Sequence, residues 1–263
     1  MQESNTHTQI LRVAELKPET IHKQLGSLFE MKDIEITLQP SQDAVDIHLT
    51  SQLKDKREAK QMLDTVEQKI RARLADYIFG TGDTTLQQII GKLLDEQKLT
   101  VATIESLTGG LIASALTDAH ESSAHFLGGV VAYSTLLKER MGVPHETMER
   151  YGVISNETAI AMAKAVKKAL DIEIGLGITG VAGPDKQEDQ PVGTVHIAVA
   201  GPYGILSCMG SEKCAGLDRE ENKQAATISA LNLLRRYLEK RGDKQEQNED
   251  PTLIDSKITQ STS

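Results

Sequence analysis

Residues 99–110 read LTVATIESLTGG, an apolar run followed at once by a serine, a threonine and two glycines. The run LTVATI (99–104) predicts a buried strand and LIASALTDA (111–119) predicts a helix, so ESLTGG (105–110) is the corner between them. Glycines at such a corner let the backbone approach a ligand closely, and a helix N-terminus offers unpaired N–H groups. The corner therefore has two interpretations: Ser106 is the N-cap of the helix, or Ser106 carries chemistry.

Outward from this corner, helices alternate with nearly all-apolar strands. We expect helices from near 84, at 136–142, at 156–170 with Ser155 as N-cap, and at 218–238, and strands at 128–134, 174–180, 192–201 and 204–210. This alternation predicts an α/β domain over 84–241, with helices covering both faces of a sheet in three layers. In such domains, ligands bind beyond the carboxyl ends of the strands, which is where ESLTGG lies.

The N-terminal third has a different pattern. The segments are QILRVAEL (9–16), PETIHKQLGSLF (18–29), DIEITL (33–38), AVDIHL (44–49) and a long amphipathic stretch over 55–75. They predict the order β-α-β-β-α, with a hairpin at SQD, in a small α+β domain over 9–80. YIFGTGDTT (77–85) marks the boundary, and the polar ends 1–8 and 242–263 are predicted to be disordered.

Composition excludes several classes of function. The chain has 263 residues and a formal net charge of −9, which disfavours general attraction to nucleic acid or to an anionic membrane. There is no signal segment and no apolar run near the ~20 residues that span a bilayer, so we expect a cytoplasmic protein. Cys208 and Cys214 are too few for a disulfide framework and have no metal-ligand spacing, so we predict packing residues or incidental thiols.

Familiar cofactor and nucleophile motifs are also missing. The chain contains no GxxxxGK[ST], GxSxG or HExxH sequence, and its histidines are scattered. We therefore expect neither a metal nor a cofactor.

Two further segments place reactive groups at predicted strand ends. Tyr133 ends an apolar strand, and Lys138 follows about one helical turn later. A lysine buried there would have a lowered pKa and could deprotonate a serine, although a solvated lysine is the alternative. TGVAGP (179–184) and PVGT (191–194) have glycines that bring the backbone close to a ligand or simply serve the turns of a long loop.

Together, ESLTGG, GGVVAYS with Lys138, TGVAGP with PVGTV, and the DREE that opens the last helix resemble the C-terminal domain of the CinA family, over about Thr84 to Arg241. That family is known as nicotinamide-nucleotide amidohydrolase, or NMN deamidase. The N-terminal segment resembles the family's KH-type domain. The resemblance implies that the large molybdopterin-binding-like domain, with its pyrophosphatase activity, is absent. The KH-like segment has no GxxG loop between its helices and the chain is acidic, so we do not expect direct nucleic-acid binding.

The resemblance also implies roles for residues. Ser106 matches the family's nucleophile, Tyr133 and Lys138 match its activating partners, and Thr179 and Arg219 match positions that line the substrate site. Further substrate-binding candidates in the same motifs are Thr108, Gly109, Gly110, Ser134, Gly180 and Gly183. The implied reaction is hydrolysis of nicotinamide mononucleotide to nicotinate mononucleotide and ammonia by a homo-oligomer, a dimer, without metal. Backbone N–H groups near 108–110 would hold the oxyanion.

Two departures from the family pattern concern access and packing. Leu107 stands where the family usually has cysteine, and DKQEDQ (185–190) replaces a loop that is commonly rich in glycine. Neither departure removes a proposed catalytic group. The alternative function is a non-catalytic interaction protein associated with competence or DNA damage, for which an intact set of Ser106, Tyr133 and Lys138 has no purpose.

Overall fold

The structure, a computed structural model, describes residues 7–41, 43–119, 121–210, 214 and 218–240. The two terminal segments predicted to be disordered lie outside these residues, except that His7 and Thr8 belong to the first strand. That strand therefore begins two residues before the predicted start of the N-terminal domain.

The regular elements alternate along the chain with short connections. The strands are β1 His7–Val13, β2 Ile34–Pro40, β3 Val45–Ser51, β4 Ile78–Thr81, β5 Val101–Glu105, β6 Phe126–Val131, β7 Ile174–Gly180, β8 Val195–Gly201 and β9 Gly204–Met209. The α-helices are α1 Pro18–Leu25, α2 Lys56–Leu74, α3 Leu86–Gln97, α4 Leu111–Thr117, α5 Thr135–Arg140, α6 His145–Tyr151, α7 Asn156–Ala169 and α8 Arg219–Glu239. Short 3₁₀ turns cover Gly26–Glu30, Ala75–Tyr77 and Ser122–Ala124.

The N-terminal domain is an antiparallel sheet in the order β2-β3-β1-β4 with α1 and α2 packed on it. Residues at every second strand position are buried, as Val45, Ile47 and Leu49 are in β3, because one sheet face carries the helices and the other meets solvent. Pro18 occupies the first turn of α1, and Asp55 caps α2 by accepting from two backbone N–H groups.

β4 corrects one prediction. The segment YIFGTGDTT was interpreted as a boundary, whereas its first half is a fourth strand that pairs antiparallel with β1. Ile78 and Phe79 are buried there, and only the second half, with Gly82 at φ +59°, is a turn. A run of three apolar residues (77–79) is too short to stand out beside the turn signals.

The C-terminal domain is built on a five-stranded sheet in the order β6-β5-β7-β8-β9. β5 pairs in parallel with β6 and with β7, and the last two strands are antiparallel to their neighbours. Helices α3, α4 and α8 pack on one face and α5, α6 and α7 on the other, which confirms the three-layer α/β arrangement. Because β5, β6 and β7 are parallel, their carboxyl ends meet at one edge of the sheet.

Glycines in β7 bring α7 close to the sheet. A Cβ at Gly175 would lie 2.0 Å from Ala163 O, and a Cβ at Gly177 would lie 2.6 Å from Ala159 O, so no side chain fits at either position. Ser155 caps α7 as predicted, accepting from Thr158 N at 3.1 Å. The close contact fixes the loop that enters α7 beside the end of β7.

A second difference lies between α5 and α7. The sequence pattern predicts no regular element in VPHETMERYGVIS (143–155), but His145–Tyr151 form helix α6. Pro144 precedes this helix, a position that proline tolerates, and the helix ends at Gly152 with φ +87°. Its only buried residue is Met148, so the periodicity that predicts an amphipathic helix is missing.

Helix α8 joins the two domains. Near its middle, Asn232 donates to Glu15 Oε1 at 2.5 Å, and Arg235 donates to Asp76 O, in a buried polar contact with the N-terminal domain. Apolar residues 14, 44 and 79 of that domain enter the same core cluster as α3 and α8. No helix within the described ranges combines the length and the apolar character needed to cross a membrane.

Candidate active site

The corner after β5 is organised by the residue before the serine. Glu105 is fully buried, and its carboxylate accepts from Thr108 Oγ1 at 2.7 Å and Thr103 Oγ1 at 3.2 Å. It also accepts from the backbone N–H groups of residues 110, 112 and 113, at 2.9, 3.2 and 2.8 Å. The buried charge is compensated by these five donors and caps α4.

This arrangement corrects two expectations about the corner. Ser106 is not the N-cap of α4, because the Glu105 carboxylate performs that function from one residue earlier. The N–H groups expected to be open at 109 and 110 are also engaged, since Gly109 donates to Ser106 O and Gly110 donates to Glu105. Among the described residues, the backbone N–H groups of Leu107 and Thr108 have no hydrogen-bond acceptor.

Ser106 faces a buried lysine from the next strand–helix unit. Lys138 Nζ lies 3.0 Å from Ser106 Oγ, 2.8 Å from Ala132 O and 3.2 Å from Tyr133 O. The lysine is 1% exposed and the serine 8% exposed. Burial lowers the pKa of Lys138 from 10.5 to about 8, while the charge of Glu188 acts in the opposite direction. A substantial fraction of Lys138 is thus neutral near pH 8 and able to accept a proton.

The backbone carbonyl of Tyr133 accepts from Lys138, whereas the Tyr133 side chain contacts a different residue. The ring is 60% exposed, and its hydroxyl accepts from Arg219 Nη2 at 2.9 Å. The structure thus pairs the Tyr133 side chain with Arg219, whereas the resemblance assigned it to activation of Ser106. Arg219 also donates to Gly183 O, so its guanidinium is fixed between two partners at the start of α8.

The TGVAGP loop forms the opposite wall of the site. Thr179 is buried and donates its hydroxyl to Val153 O at 2.9 Å. A Cβ at Gly180 would lie 2.4 Å from Thr194 O, and a Cβ at Gly183 would lie 2.8 Å from Val192. Both glycines are therefore required by close packing of the loop on itself.

These side chains surround one cavity of about 110 Å³. Seven of the predicted residues line it: Ser106, Tyr133, Lys138, Thr179, Gly180, Gly183 and Arg219. Its lining also contains residues that sequence reasoning missed: Thr135, Val153, Ile154, Asp185 and Gln187. The loop from 185 to 190 was noted only as a departure from the family pattern, and nothing in its composition indicates that it folds toward Ser106.

Four predicted substrate-binding residues lie outside this lining. Thr108 is fully buried with its hydroxyl on Glu105, and Gly109 and Gly110 form the turn that lets Glu105 cap α4. Ser134 is exposed and caps α5, accepting from Leu137 N at 3.2 Å. Leu107, the substitution for cysteine, is buried in the main core and lines the cavity as well.

Metal-binding side chains do not gather anywhere in the described part of the chain, where no group of three or more His, Cys, Asp or Glu residues could hold an ion. Neither Cys208 nor Cys214 forms a disulfide, and burial raises the pKa of Cys208 to about 12. The Cys208 thiol therefore stays protonated at neutral pH and is a poor nucleophile.

Comparison with known families matches both domains. Residues 83–238 match the CinA C-terminal domain, and residues 8–80 match the KH domain of the damage-inducible protein CinA. The two matches follow one another along the chain in the order that the sequence predicts.

Relatives and solved structures agree with these matches. A putative competence-damage inducible protein of Desulforamulus reducens is 34% identical over 88% of this chain and 56% of its own length. A CinA-like protein of Frankia casuarinae is 40% identical over 73% of this chain and 44% of its own length. The chain thus spans about half the length of the curated relatives it matches.

Solved structures of CinA-related proteins match somewhat more than half of this chain and almost all of their own. The competence/damage inducible protein CihA of Agrobacterium tumefaciens is 32% identical, with a TM-score of 0.53, over 58% of this chain and 94% of its own. A CinA superfamily protein of Enterobacter cloacae is 27% identical, with a TM-score of 0.56, over 60% of this chain and 95% of its own.

Proposed function

The chain belongs to the CinA family, and from this membership and the contact between Ser106 and Lys138 we propose that it is a serine amidohydrolase converting nicotinamide mononucleotide and water to nicotinate mononucleotide and ammonia. The identity of the substrate comes from the family resemblance. The type of reaction is supported by the chemistry of the cavity.

One observation carries the proposal. A lysine with a pKa lowered to about 8 donates to a serine hydroxyl at 3.0 Å inside a cavity. Burying a lysine this completely costs free energy, because desolvation disfavours its charged form. A nucleophile beside a base whose pKa is near the working pH is the arrangement required for covalent catalysis.

In the first step, neutral Lys138 accepts the proton of Ser106 as Oγ attacks the carboxamide carbon. A C–O bond forms, and the carbonyl electron pair moves onto the oxygen. When the tetrahedral intermediate collapses, the C–N bond breaks, and protonated Lys138 returns its proton to the leaving nitrogen, which departs as ammonia. The product of this step is an acyl ester of Ser106.

The developing oxyanion needs donors that the fold has not already used. The backbone N–H groups of Leu107 and Thr108 are the candidates, since the two that follow are engaged inside the corner. They lie directly after the nucleophile in the chain, which is where such donors often lie. One oxyanion donor is typically worth roughly 2.7–4 kcal/mol of barrier.

Hydrolysis of the ester completes the cycle. Water gives one proton to Lys138 and attacks the ester carbon, and Ser106 Oγ leaves with the proton held by Lys138. The nicotinate product then carries the carboxylate in place of the amide. The sum of both steps is one amide and one water consumed and one acid and one ammonia formed.

Binding of the mononucleotide would use the fixed cation at the rim. Arg219 is oriented by the Tyr133 hydroxyl and by the Gly183 carbonyl, and a guanidinium suits a phosphate group by forming two parallel hydrogen bonds. Tyr133 is therefore proposed to act mainly through Arg219 and, through its carbonyl, on Lys138.

The test measures ammonia and nicotinate mononucleotide from purified protein supplied with nicotinamide mononucleotide and a metal chelator. We expect equimolar release of both products, and loss of at least 10³-fold in Ser106→Ala. Ser114→Ala, which removes an exposed hydroxyl on α4 outside the cavity, serves as the matched control and should stay within about twofold of the wild type. No release above the Ser106→Ala background would refute the proposed activity.

A further inference from the structure

The DKQEDQ loop ends in a strained hairpin. Gln187 and Gln190 exchange backbone hydrogen bonds at 3.2 and 2.9 Å, so Glu188 and Asp189 are the two residues of a tight turn. Both have positive φ, at +50° and +58°. Such turns are normally occupied by Asn and Gly, because other side chains crowd the backbone there. Strain of this kind is retained where the surrounding contacts enforce it.

The contact that accompanies this strain is made by the side chain of Glu188. Its Oε2 accepts from Ile154 N at 3.1 Å, on the loop that leads into α7. A Cβ at Gly152 would lie 3.0 Å from the same oxygen, so the carboxylate approaches closely because that residue is glycine. This hydrogen bond therefore joins the hairpin to the segment 152–154 on the other side of the cavity.

That segment is a wall of the candidate active site. Val153 and Ile154 line the cavity, and Val153 O already accepts from Thr179 on the opposite side. Glu188 holds the N–H of the same wall, so the wall is fixed by one bond from β7 and one from the hairpin. Without the hydrogen bond to Glu188, the segment 152–154 is no longer held on the side of the hairpin.

Glu188 is also the carboxylate whose charge acts on Lys138. The hydrogen-bond acceptors of Lys138 Nζ are Ser106 Oγ and two backbone carbonyls, none of which carries a formal charge. Besides Lys138, the charged residues that line the cavity are Asp185 and Arg219, and Glu188 lies outside this lining. The Glu105 carboxylate lies behind the nucleophile, where five donors surround it. On α5 itself, Glu139 is paired with His145.

We propose that Glu188 is a positioning residue of the active site: its carboxylate holds the 187–190 hairpin against the cavity wall at 153–154 by a hydrogen bond, and it places a negative charge at the edge of the cavity that Lys138 lines. The expected kinetic effects rest on the proposed amidohydrolase function. The hydrogen bond between Glu188 and Ile154 is independent of that function.

Three full-length variants separate the two effects. Glu188→Gln keeps an oxygen acceptor for Ile154 N and removes the charge. Glu188→Asn tolerates positive φ, so the turn folds, but it is too short to reach the wall and is uncharged. Asp189→Asn is the matched control, since it removes a carboxylate of the same turn that is paired with Lys186.

The first measurement is hydrogen exchange of the Ile154 amide by NMR, together with the titration of the Lys138 side chain. We expect Glu188→Asn to accelerate the exchange at least about tenfold, while Glu188→Gln and the control stay within about twofold. Glu188→Gln should lower the titration midpoint of Lys138 by about half a pH unit at low salt, and the control by clearly less.

The second measurement is the pH dependence of kcat/KM for ammonia release. In Glu188→Gln, the acid limb should move to lower pH by the same amount as the lysine titration, with KM unchanged. In Glu188→Asn, KM should rise several-fold in addition. The Asp189→Asn profile should match the wild type.

The two proposals fail separately. A wild-type protein that releases no ammonia overturns the proposed function, and the exchange and titration data still decide the role of Glu188. If the Ile154 amide exchanges at the wild-type rate in Glu188→Asn, Glu188 does not hold the cavity wall. A Lys138 titration in Glu188→Gln that equals the Asp189→Asn control overturns the electrostatic part.

Discussion

Lys138 Nζ lies 3.0 Å from Ser106 Oγ, and both groups are almost completely removed from solvent although 32 residues separate them in the chain. The lysine extends from α5 and the serine follows β5, so the parallel pairing of β5 with β6 brings the two together. The remaining donors of the ammonium are satisfied by two backbone carbonyls, which orient Nζ toward the serine.

The first prediction concerns the pH dependence of catalysis. Because neutral Lys138 is the proposed base and its pKa is about 8, kcat/KM should rise about tenfold per pH unit below pH 8 and level off above it. Lys138→Ala should lose at least about 10³-fold, and Lys138→Arg should not restore activity, since a guanidinium remains protonated. Lys92→Ala, on the exposed surface of α3, is the control. A profile that is flat between pH 6 and 9 would contradict the assigned base.

The second prediction links the same lysine to stability. Its pKa in the folded state is lowered, so the folded state releases the proton first and the stability contributed by this group rises with pH between about 8 and 10.5. Lys138→Met removes this dependence. The wild type should therefore gain, relative to the variant, at most about 3 kcal/mol of unfolding free energy over that window. Urea titrations of both proteins at several pH values measure the difference. A constant difference across the window would show that Lys138 of the folded protein keeps its proton there, which contradicts the lowered pKa.

The third prediction concerns the carboxylate behind the nucleophile. Glu105→Gln replaces a carboxylate that accepts from five donors by an amide. The NH₂ group of this amide must point toward some of those donors. We expect a loss of about 2–4 kcal/mol in unfolding free energy, and a lower kcat with little change in KM, because the corner that carries Ser106 shifts. Glu96→Gln, an exposed residue on α3 paired only with Lys92, should change neither quantity. Urea unfolding and kinetics of the folded variant test the two effects separately.

The fold could be predicted from the sequence because its signals are local. Alternation in β3 and the helical spacing in α2 define elements that the structure contains, and strand ends indicated where Ser106 and Lys138 lie. The contacts that could not be predicted depend on packing over distance. Glu105 turns back into its own corner, and Glu188 reaches 34 residues back in the chain to Ile154. Neither contact follows from periodicity or spacing.

The fourth prediction concerns binding of the phosphate. Arg219→Lys keeps the positive charge but cannot contact both Gly183 O and the Tyr133 hydroxyl while presenting two donors to a ligand. We expect KM for nicotinamide mononucleotide to rise about 10- to 100-fold with kcat changed much less. Arg150→Lys, which alters an exposed guanidinium over the Tyr151 ring, is the matched control. An equal loss in kcat with unchanged KM would assign Arg219 to the chemical step and not to binding.

The last prediction concerns the contact between the domains. Asn232 accepts from Arg235 Nε at 2.9 Å and donates to Glu15, so it bridges a buried cation and a buried carboxylate. Asn232→Ala leaves both with one partner fewer, and we expect the unfolding free energy to fall by about 2–4 kcal/mol. Since the lost contact lies between the domains, limited proteolysis should cut the N-terminal domain faster. The kcat should not change, because the cavity lies at the start of α8, more than three turns before Asn232. Gln61→Ala, on the exposed face of α2, is the control. Cutting at the wild-type rate in Asn232→Ala would show that the apolar contact alone holds the domains together.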